Sequence, residues 1–156
     1  MATVHELRRE QIIATDMPSA WTFIRSPANL NRITPDNMEF SIVSDVPDVM
    51  RSGLMIEYAI RLPLLGRQRW LTEIKHVVEG RSFVDEQRVG PYRLWSHYHE
   101  IAPAERGVRF LDRVTYAMPF GPLGEIVHRF HVSGELRRIF DFREHAMREI
   151  LEIGKA

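Results

Sequence analysis

The sequence of 156 residues contains no cysteine. This absence excludes disulfides, thiolate metal sites and thiol nucleophiles together. Neither sign of charge is in excess, because 21 lysines and arginines balance 21 aspartates and glutamates without forming blocks of one sign. We therefore expect no nucleic-acid partner and no electrostatic membrane anchor.

Long apolar runs are also absent. No stretch approaches the length that crosses a membrane, and the first residues lack the apolar segment of a signal peptide. We expect a cytoplasmic protein with no stable membrane insertion. The sequence has no glycine-rich phosphate loop and no serine in a nucleophile elbow. Its length fits a single domain, residues 1–156, with a substantial core.

The last long segment, residues 121–153, has the pattern of a helix. Gly121 and Pro122 suit the N-cap and the first helical position, where the missing donor of proline costs nothing. Gly154 suits the C-terminal end. The segment is the longest predicted helix and should cover one face of a sheet.

Two apolar stripes of this helix are out of phase. At about 100° per residue they lie roughly 150° apart, and a straight helix cannot turn both toward one sheet. We therefore expect a break or a sharp bend at residues 132–134, between a short helix and a long one. The first stripe comprises Leu123, Ile126, Val127 and Phe130, and the second Leu136, Ile139, Phe140, Met147 and Ile150.

The preceding residues predict strands and two short helices. Residues 16–35 carry proline and serine signals for two short helices in tandem. Most turns between the strands are too short for crossover helices, so the strands should form an antiparallel meander. The predicted strands are residues 3–14, 38–44, 54–62, 67–78, 82–89, 92–101 and 108–118. This order predicts an α+β fold, with a curved antiparallel sheet of about seven strands wrapped around the long C-terminal helix.

Several segments resemble the START/Bet v 1-like superfamily, also called SRPBCC or polyketide cyclase/dehydrase-like. They are SPANLNRITP at residues 26–35, FVDEQ at 83–87, GPYRLWSHYH at 90–99, DRVTYAMPFG at 112–121 and IFDFR at 139–143. In one position an aromatic residue of that pattern is replaced by Ile101. The resemblance implies the helix-grip fold, a ligand cavity between sheet and helix, and neither metal nor cofactor. It says little about chemistry, because the superfamily includes lipid carriers, hormone receptors and cyclases.

Period-2 alternation assigns polar side chains to the inward face of the sheet. Buried ionisable groups are costly unless paired or hydrated, so their accumulation indicates a cavity that holds a ligand or water. The opposite assignment would place His97 and His99 in solvent and pack Leu94 and Tyr98. With the first assignment, the predicted ligand-binding residues are Trp70, Phe83, Asp85, Gln87, Trp95, His97, His99, Phe110, Asp112, Tyr116, Phe140, Arg143 and Met147.

The main hypothesis is the binding of a small, largely hydrophobic molecule, such as a lipid, an aromatic compound or a polyketide-like compound. One alternative is a cyclase or dehydratase in which His97, His99 and Asp112 act as acid–base groups. Another is a regulatory interaction module with a vestigial cavity. His97 and His99 could also share a metal with Asp112, or with His128 and His131, but we expect no metal site and no cofactor. The sequence leaves a homodimer open.

Arg143 lies in the middle of the second stripe of the predicted helix. An unpaired charge on a face that packs against a sheet would cost several kcal/mol. We therefore expect its guanidinium to bind a carboxylate with two bonds, that of Asp112 in preference to Asp85. The alternative is that the side chain extends to the rim and keeps its charge in water.

Overall fold

The computed structural model describes residues 3–152. Its seven strands form one sheet, in the order β1-β7-β6-β5-β4-β3-β2, and every neighbouring pair is antiparallel. The strands are β1 (Val4–Ile13), β2 (Ser41–Ile42), β3 (Met55–Leu62), β4 (Gly66–Val78), β5 (Ser82–Val89), β6 (Leu94–Ala104) and β7 (Gly107–Ala117). The predicted meander is confirmed, and β1 returns to pair with the last strand.

Two details of the strands differ from the sequence prediction. The predicted strand at residues 38–44 is only the two-residue β2, because the chain first forms a 3₁₀ turn at Asp36–Met38. The predicted turn at residues 103–107 is shorter, since Pro103 still pairs with Val108 inside the hairpin of β6 and β7. Irregular pairing of β4 with β5 adds curvature to the sheet, because bulges bend a strand and increase its twist.

The short helices follow β1, as predicted. Helix α1 (Met17–Ile24) begins at Asp16, whose carboxylate accepts a hydrogen bond from the backbone N–H of Ser19 at 2.8 Å. Such a cap satisfies a donor that has no partner within the helix. The second short helix is a 3₁₀ helix, Pro27–Ile33.

The C-terminal helix runs from Gly121 to Leu151 without leaving the helical path. It consists of α2 (Gly121–Val127), a π-helical turn (His128–Val132) and α3 (Ser133–Leu151). The π turn ends at Val132, the first residue of the predicted break. Because a π turn holds about one extra residue, it produces the predicted phase difference between the two stripes without breaking the helix. The sequence prediction of two separate helices was wrong in this respect. The predicted end at Gly154 lies outside the described residues.

The core lies between the sheet and α3. Leu136, Phe140 and Met147 are buried on the helix, as the second stripe predicted. Burial of such a side chain stabilises the fold by about 1.5–3 kcal/mol. Leu123 and Phe130, from the first stripe, are exposed instead. Within residues 3–152, no helix has the length and apolar character needed to cross a membrane.

Candidate functional site

Four ionisable side chains meet on the inward face of β5, β6 and β7. Cross-strand register brings them together, because Asp85 pairs with His97 and His99 pairs with Asp112. Opposed residues of an antiparallel pair have neighbouring side chains on the same face. We call these four residues the His–Asp cluster. Both imidazoles are buried, which confirms the inward assignment of this face.

The hydrogen bonds of the His–Asp cluster differ between the two histidines. His99 contacts a carboxylate on each side, with Nε2 at 2.7 Å from Asp85 and Nδ1 at 2.9 Å from Asp112. His97 has one short contact, from Nε2 to Asp112 at 2.8 Å, whereas its Nδ1 lies 3.5 Å from Asp85. An ionised carboxylate only accepts hydrogen bonds, so His99 has the surroundings of a doubly protonated ring.

Arg143 of α3 reaches the same cluster. Its Nη2 lies 3.5 Å from Asp112 and 3.5 Å from Nδ1 of His99. The predicted proximity to Asp112 is therefore present, but the two-bond grip is not. Nε of Arg143 is buried without a hydrogen-bond partner among the described residues. The side chain ends inside the protein, not at the rim.

The surroundings shift the pKa values of the cluster in opposite directions. Burial and the charge of His99 lower the pKa of His97. Burial also opposes the charge on His99, but its bonds to Asp112 and Asp85 outweigh burial and raise its pKa. Burial alone would raise the pKa of Asp112, yet Arg143 and the histidines hold it well below its usual range. Burial would also raise the pKa of Asp85, but the neighbouring positive charges lower it, and the largest of these effects comes from His97.

Little space surrounds the His–Asp cluster. Phe83 stacks on His99 with ring centroids 4.4 Å apart, and Phe140 lies 5.4 Å from the centroid of His97. A cavity beside Asp85 and His99 has a volume of about 30 Å³, and two others beside Asp112 and Arg143 have about 10 Å³ each. These volumes hold at most one or two water molecules.

A much larger cavity lies at the other end of the helix. Its volume is about 570 Å³, and it opens between the β3–β4 turn, the segment from β7 to α2, and the beginning of α3. Its lining is mostly apolar and consists of Leu62, Pro63, Leu64, Leu65, Gln68, Gly90, Pro91, Tyr92, Met118, Pro119, Phe120, Leu123, Gly124, Val127, His131, Val132, Glu135, Leu136 and Ile139. We call this space the end cavity.

The mouth of the end cavity is strongly apolar. Phe120 is 82% exposed, Leu64 76% and Leu123 70%. Apolar side chains at this level of exposure form a contiguous patch of the kind that marks binding sites. His131 belongs to the lining, but its Nε2 is buried in the wall and has no hydrogen-bond partner among the described residues.

An aromatic wall separates the end cavity from the His–Asp cluster. Tyr92 lines the cavity, and its ring lies 4.9 Å from that of Trp95. Trp70 meets Trp95 edge-on at 5.2 Å, and Trp95 in turn lies 6.3 Å from His97. Tilted and edge-on contacts of this kind are the arrangements that aromatic rings prefer when they pack.

Comparison with known proteins gives the fold. No protein-family model and no curated protein matches the chain. Among solved structures, protein CV1439 from Chromobacterium violaceum has a TM-score of 0.72 at 11% identity, covering 95% of this chain and 98% of its own. Norcoclaurine synthase from Thalictrum flavum, solved as a point mutant with a transition-state analogue, has a TM-score of 0.62 at 13% identity, covering 96% and 98%. Ara h 8.0201 has a TM-score of 0.58 at 16% identity, covering 93% and 99%.

The chain has the Bet v 1-like helix-grip fold. The resemblance inferred from the sequence segments is thereby confirmed at the level of architecture. Identities this low carry the fold and not the chemistry. The chemistry of this chain with the Bet v 1-like fold must therefore be inferred from its own residues.

The thirteen residues predicted to bind a ligand all belong to the interior of the Bet v 1-like fold, but none of them lines the end cavity. Phe83, Asp85, His99 and Arg143 border the cavity of about 30 Å³. Gln87 bonds to the backbone of Tyr92 through both ends of its amide, at 2.7 and 3.2 Å. The remaining predicted residues are packed or paired, and they are Trp70, Trp95, His97, Phe110, Asp112, Tyr116, Phe140 and Met147.

The residues of the end cavity were missed although a signal for them exists. Val127 and its neighbours in the first apolar stripe did not fit the phase of α3. We interpreted this mismatch as a break in the helix. An apolar stripe that does not pack on the sheet can instead form the wall of a cavity, as Leu123 and Val127 do here.

Proposed function

We propose that the protein binds one small, largely hydrophobic molecule in the end cavity. The observation that carries this proposal is an apolar-lined cavity of about 570 Å³ that opens to the surface. Ligand sites in proteins have volumes of about 300–1,000 Å³ and are mostly apolar with a few polar groups. The molecule is a lipid, an aromatic compound or a polyketide-like compound.

The polar atoms of the cavity favour a ligand with one polar end. Gln68, His131 and Glu135 border the space. A ligand hydroxyl group beside Gln68 or Glu135 would find a hydrogen-bond partner there. The apolar remainder would lie toward Leu62 and Val132.

The geometry favours binding over acid–base catalysis by the His–Asp cluster. A general base must come within about 3 Å of the proton that it removes. His99 borders cavities of only about 10–30 Å³, and the short contacts of His97 and His99 are with Asp85 and Asp112. A substrate in the end cavity would lie behind the aromatic wall. A cytoplasmic location and the lack of a nucleic-acid partner stay predictions from the sequence, which leaves a homodimer open.

A substitution that fills the end cavity tests this proposal. Val127 lines the cavity and is 41% exposed, while Val49 is 40% exposed and lies outside it. We expect Val127→Trp to weaken the binding of a fluorescent apolar probe, such as an anilinonaphthalene sulfonate, at least about tenfold, which is about 1.4 kcal/mol. Val49→Trp should leave the affinity unchanged. Equal affinities in both variants would refute binding in this cavity.

A further inference from the structure

A second cluster of ionisable side chains lies where β1 meets the start of the C-terminal helix. It consists of His5 in β1, Glu125 in α2 and His128 at the start of the π turn. A ring nitrogen of each histidine and a carboxylate oxygen of Glu125 all lie within 4.8 Å of one another. Nε2 of His5 is 2.9 Å from Oε2 of Glu125.

The fold holds these three side chains together from two sides. Glu125 and His128 are three residues apart on the helix and therefore project from the same side. His5 reaches them from the edge strand, and its ring stacks on that of His128 with centroids 3.6 Å apart. The hydroxyl of Tyr116 lies 2.9 Å from Nε2 of His128. An outer hydrogen bond of this kind orients an imidazole that binds a metal through its other nitrogen.

One atom of the group formed by His5, Glu125 and His128 has no hydrogen-bond partner among the described residues. This atom is Oε1 of Glu125, which is buried. A buried carboxylate oxygen without a partner is costly, and a cation would satisfy it. The site is also accessible to an ion, because the side chains of His5 and Glu125 are 20% and 30% exposed.

The His–Asp cluster is a poorer site for a cation. The guanidinium of Arg143 lies 3.5 Å from the carboxylate of Asp112. A positive charge at that distance repels a metal ion. Arg137 is a charged side chain near His128. Its guanidinium donates a hydrogen bond to the backbone oxygen of Ser133 at 3.1 Å and not to His5, Glu125 or His128.

We propose that His5, Glu125 and His128 form a binding site for a divalent transition-metal ion, with zinc as the ion that they suit. Two imidazoles and one carboxylate are a ligand set for zinc, and three protein ligands leave a fourth position open for water. The sequence prediction of no metal considered the histidine pair on β6, whereas this site joins residues far apart in the chain. A bound ion would tie β1 to α2 beside Gly124, which lines the end cavity.

Calorimetric titration of tag-free protein with zinc chloride tests the proposal. We expect one zinc ion per chain. His5→Ala, Glu125→Gln and His128→Ala should each weaken the affinity at least about tenfold. The matched control is His145→Ala, because His145 faces Glu149 at 3.3 Å on α3 without belonging to a three-ligand group in the described residues. It should leave zinc affinity unchanged.

Thermal unfolding provides a second readout. Zinc should raise the melting temperature of the native protein and of His145→Ala, but not that of Glu125→Gln. An ion stabilises the folded state only if it binds to that state. Glu125→Gln keeps the shape of the side chain, so it decides the question even if a histidine variant fails to fold. No binding at one ion per chain, or equal binding by all the variants, would overturn the proposal.

Discussion

His97 and His99 are two residues apart on one strand, yet their surroundings assign them different charges. His99 lies between two carboxylates, whereas His97 has one short carboxylate contact and a charged histidine beside it. The raised pKa of His99 and the lowered pKa of His97 favour His99 as the charged imidazole, which together with Arg143 balances the carboxylates of Asp85 and Asp112. This balance explains how a buried cluster of charges is tolerated.

The two imidazoles should therefore titrate in opposite directions from the ordinary value. We expect the pKa of His99 above 6.5 and that of His97 below 6.5, as measured by NMR of the ring nitrogens. Equal pKa values, or the reverse order, would contradict the assignment of the charges.

These shifts also predict the sign of the pH dependence of stability. The depressed pKa of His97 means that the unfolded chain takes up a proton first, so this histidine reduces stability as the pH falls below about 6.5. The raised pKa of His99 has the opposite sign: its contribution is complete below about 6.5 and is lost as the pH rises through its folded pKa. The contributions of Asp85 and Asp112 are lost as the pH falls below about 3.8. His99→Gln should remove the loss of stability that occurs as the pH rises through the folded pKa of His99. Denaturant unfolding at several pH values measures this change.

Arg143 is the helix residue that balances the carboxylates of the sheet. Arg143→Leu should lower the free energy of unfolding by about 3 kcal/mol, because it removes a positive charge that compensates the buried carboxylate of Asp112. It should also raise the pKa of Asp112. Arg143→Lys should cost less, since the contact is a single one at 3.5 Å and does not depend on a planar fork.

Unfolding of Arg143→Leu, Asp112→Asn and the double variant in denaturant measures the coupling. We expect the double variant to lose less than the sum of the two single losses. Additivity within about 0.5 kcal/mol would show that the two residues do not interact.

At the scale of the element, the C-terminal helix uses its π turn to serve two purposes. Beyond the turn, α3 packs Leu136 and Phe140 into the core. Before it, α2 turns Leu123 and Val127 toward the end cavity. The extra residue of the π turn rotates α2 relative to α3. The apolar stripe of α2 therefore does not face the core, and two of its residues line the end cavity instead.

Two glycines of this helix should respond in opposite ways to alanine. A Cβ atom at Gly124 would lie 2.0 Å from the backbone oxygen of Pro119, whereas one at Gly134 meets nothing within 4 Å. Gly124→Ala should destabilise the protein by more than about 1 kcal/mol, because backbone must move. Gly134→Ala should stabilise it by up to about 1 kcal/mol, since alanine favours the helix. Melting temperatures measure both, and a stabilising Gly124→Ala would contradict the close contact of α2 with this segment.

The sequence predicted most elements because each has a local cause. Alternation along β6 correctly placed Trp95, His97, His99 and Ile101 inward, and proline and glycine marked the start of the long helix. The ligand-binding residues stay a prediction. Polar groups on the inward face indicated a cavity, but Arg143 and cross-strand pairing satisfy them without one. The pairing register that closes the His–Asp cluster is a long-range property that no local pattern contains.

At the scale of the whole molecule, one end of the Bet v 1-like fold is closed and the other is open. At the closed end, Arg143 of α3 contacts the His–Asp cluster of the sheet, and the adjacent cavity of about 30 Å³ has room for only one or two water molecules. At the open end, the turn after β3 and the segment before α2 stand apart from the helix and leave the end cavity. The aromatic wall lies between the two ends, so the His–Asp cluster and the proposed ligand site occupy different parts of the same interior.

The central claim is that an apolar molecule binds in the end cavity. Titration of methyl-labelled protein with a medium-chain alcohol such as 1-decanol tests it directly by NMR. We expect saturable shifts at Leu62, Val132 and Ile139, which line the cavity, and little change at Ile13 and Val108, which are buried elsewhere. Shifts centred on the methyl groups around the His–Asp cluster, or no saturable shifts at the cavity, would contradict it.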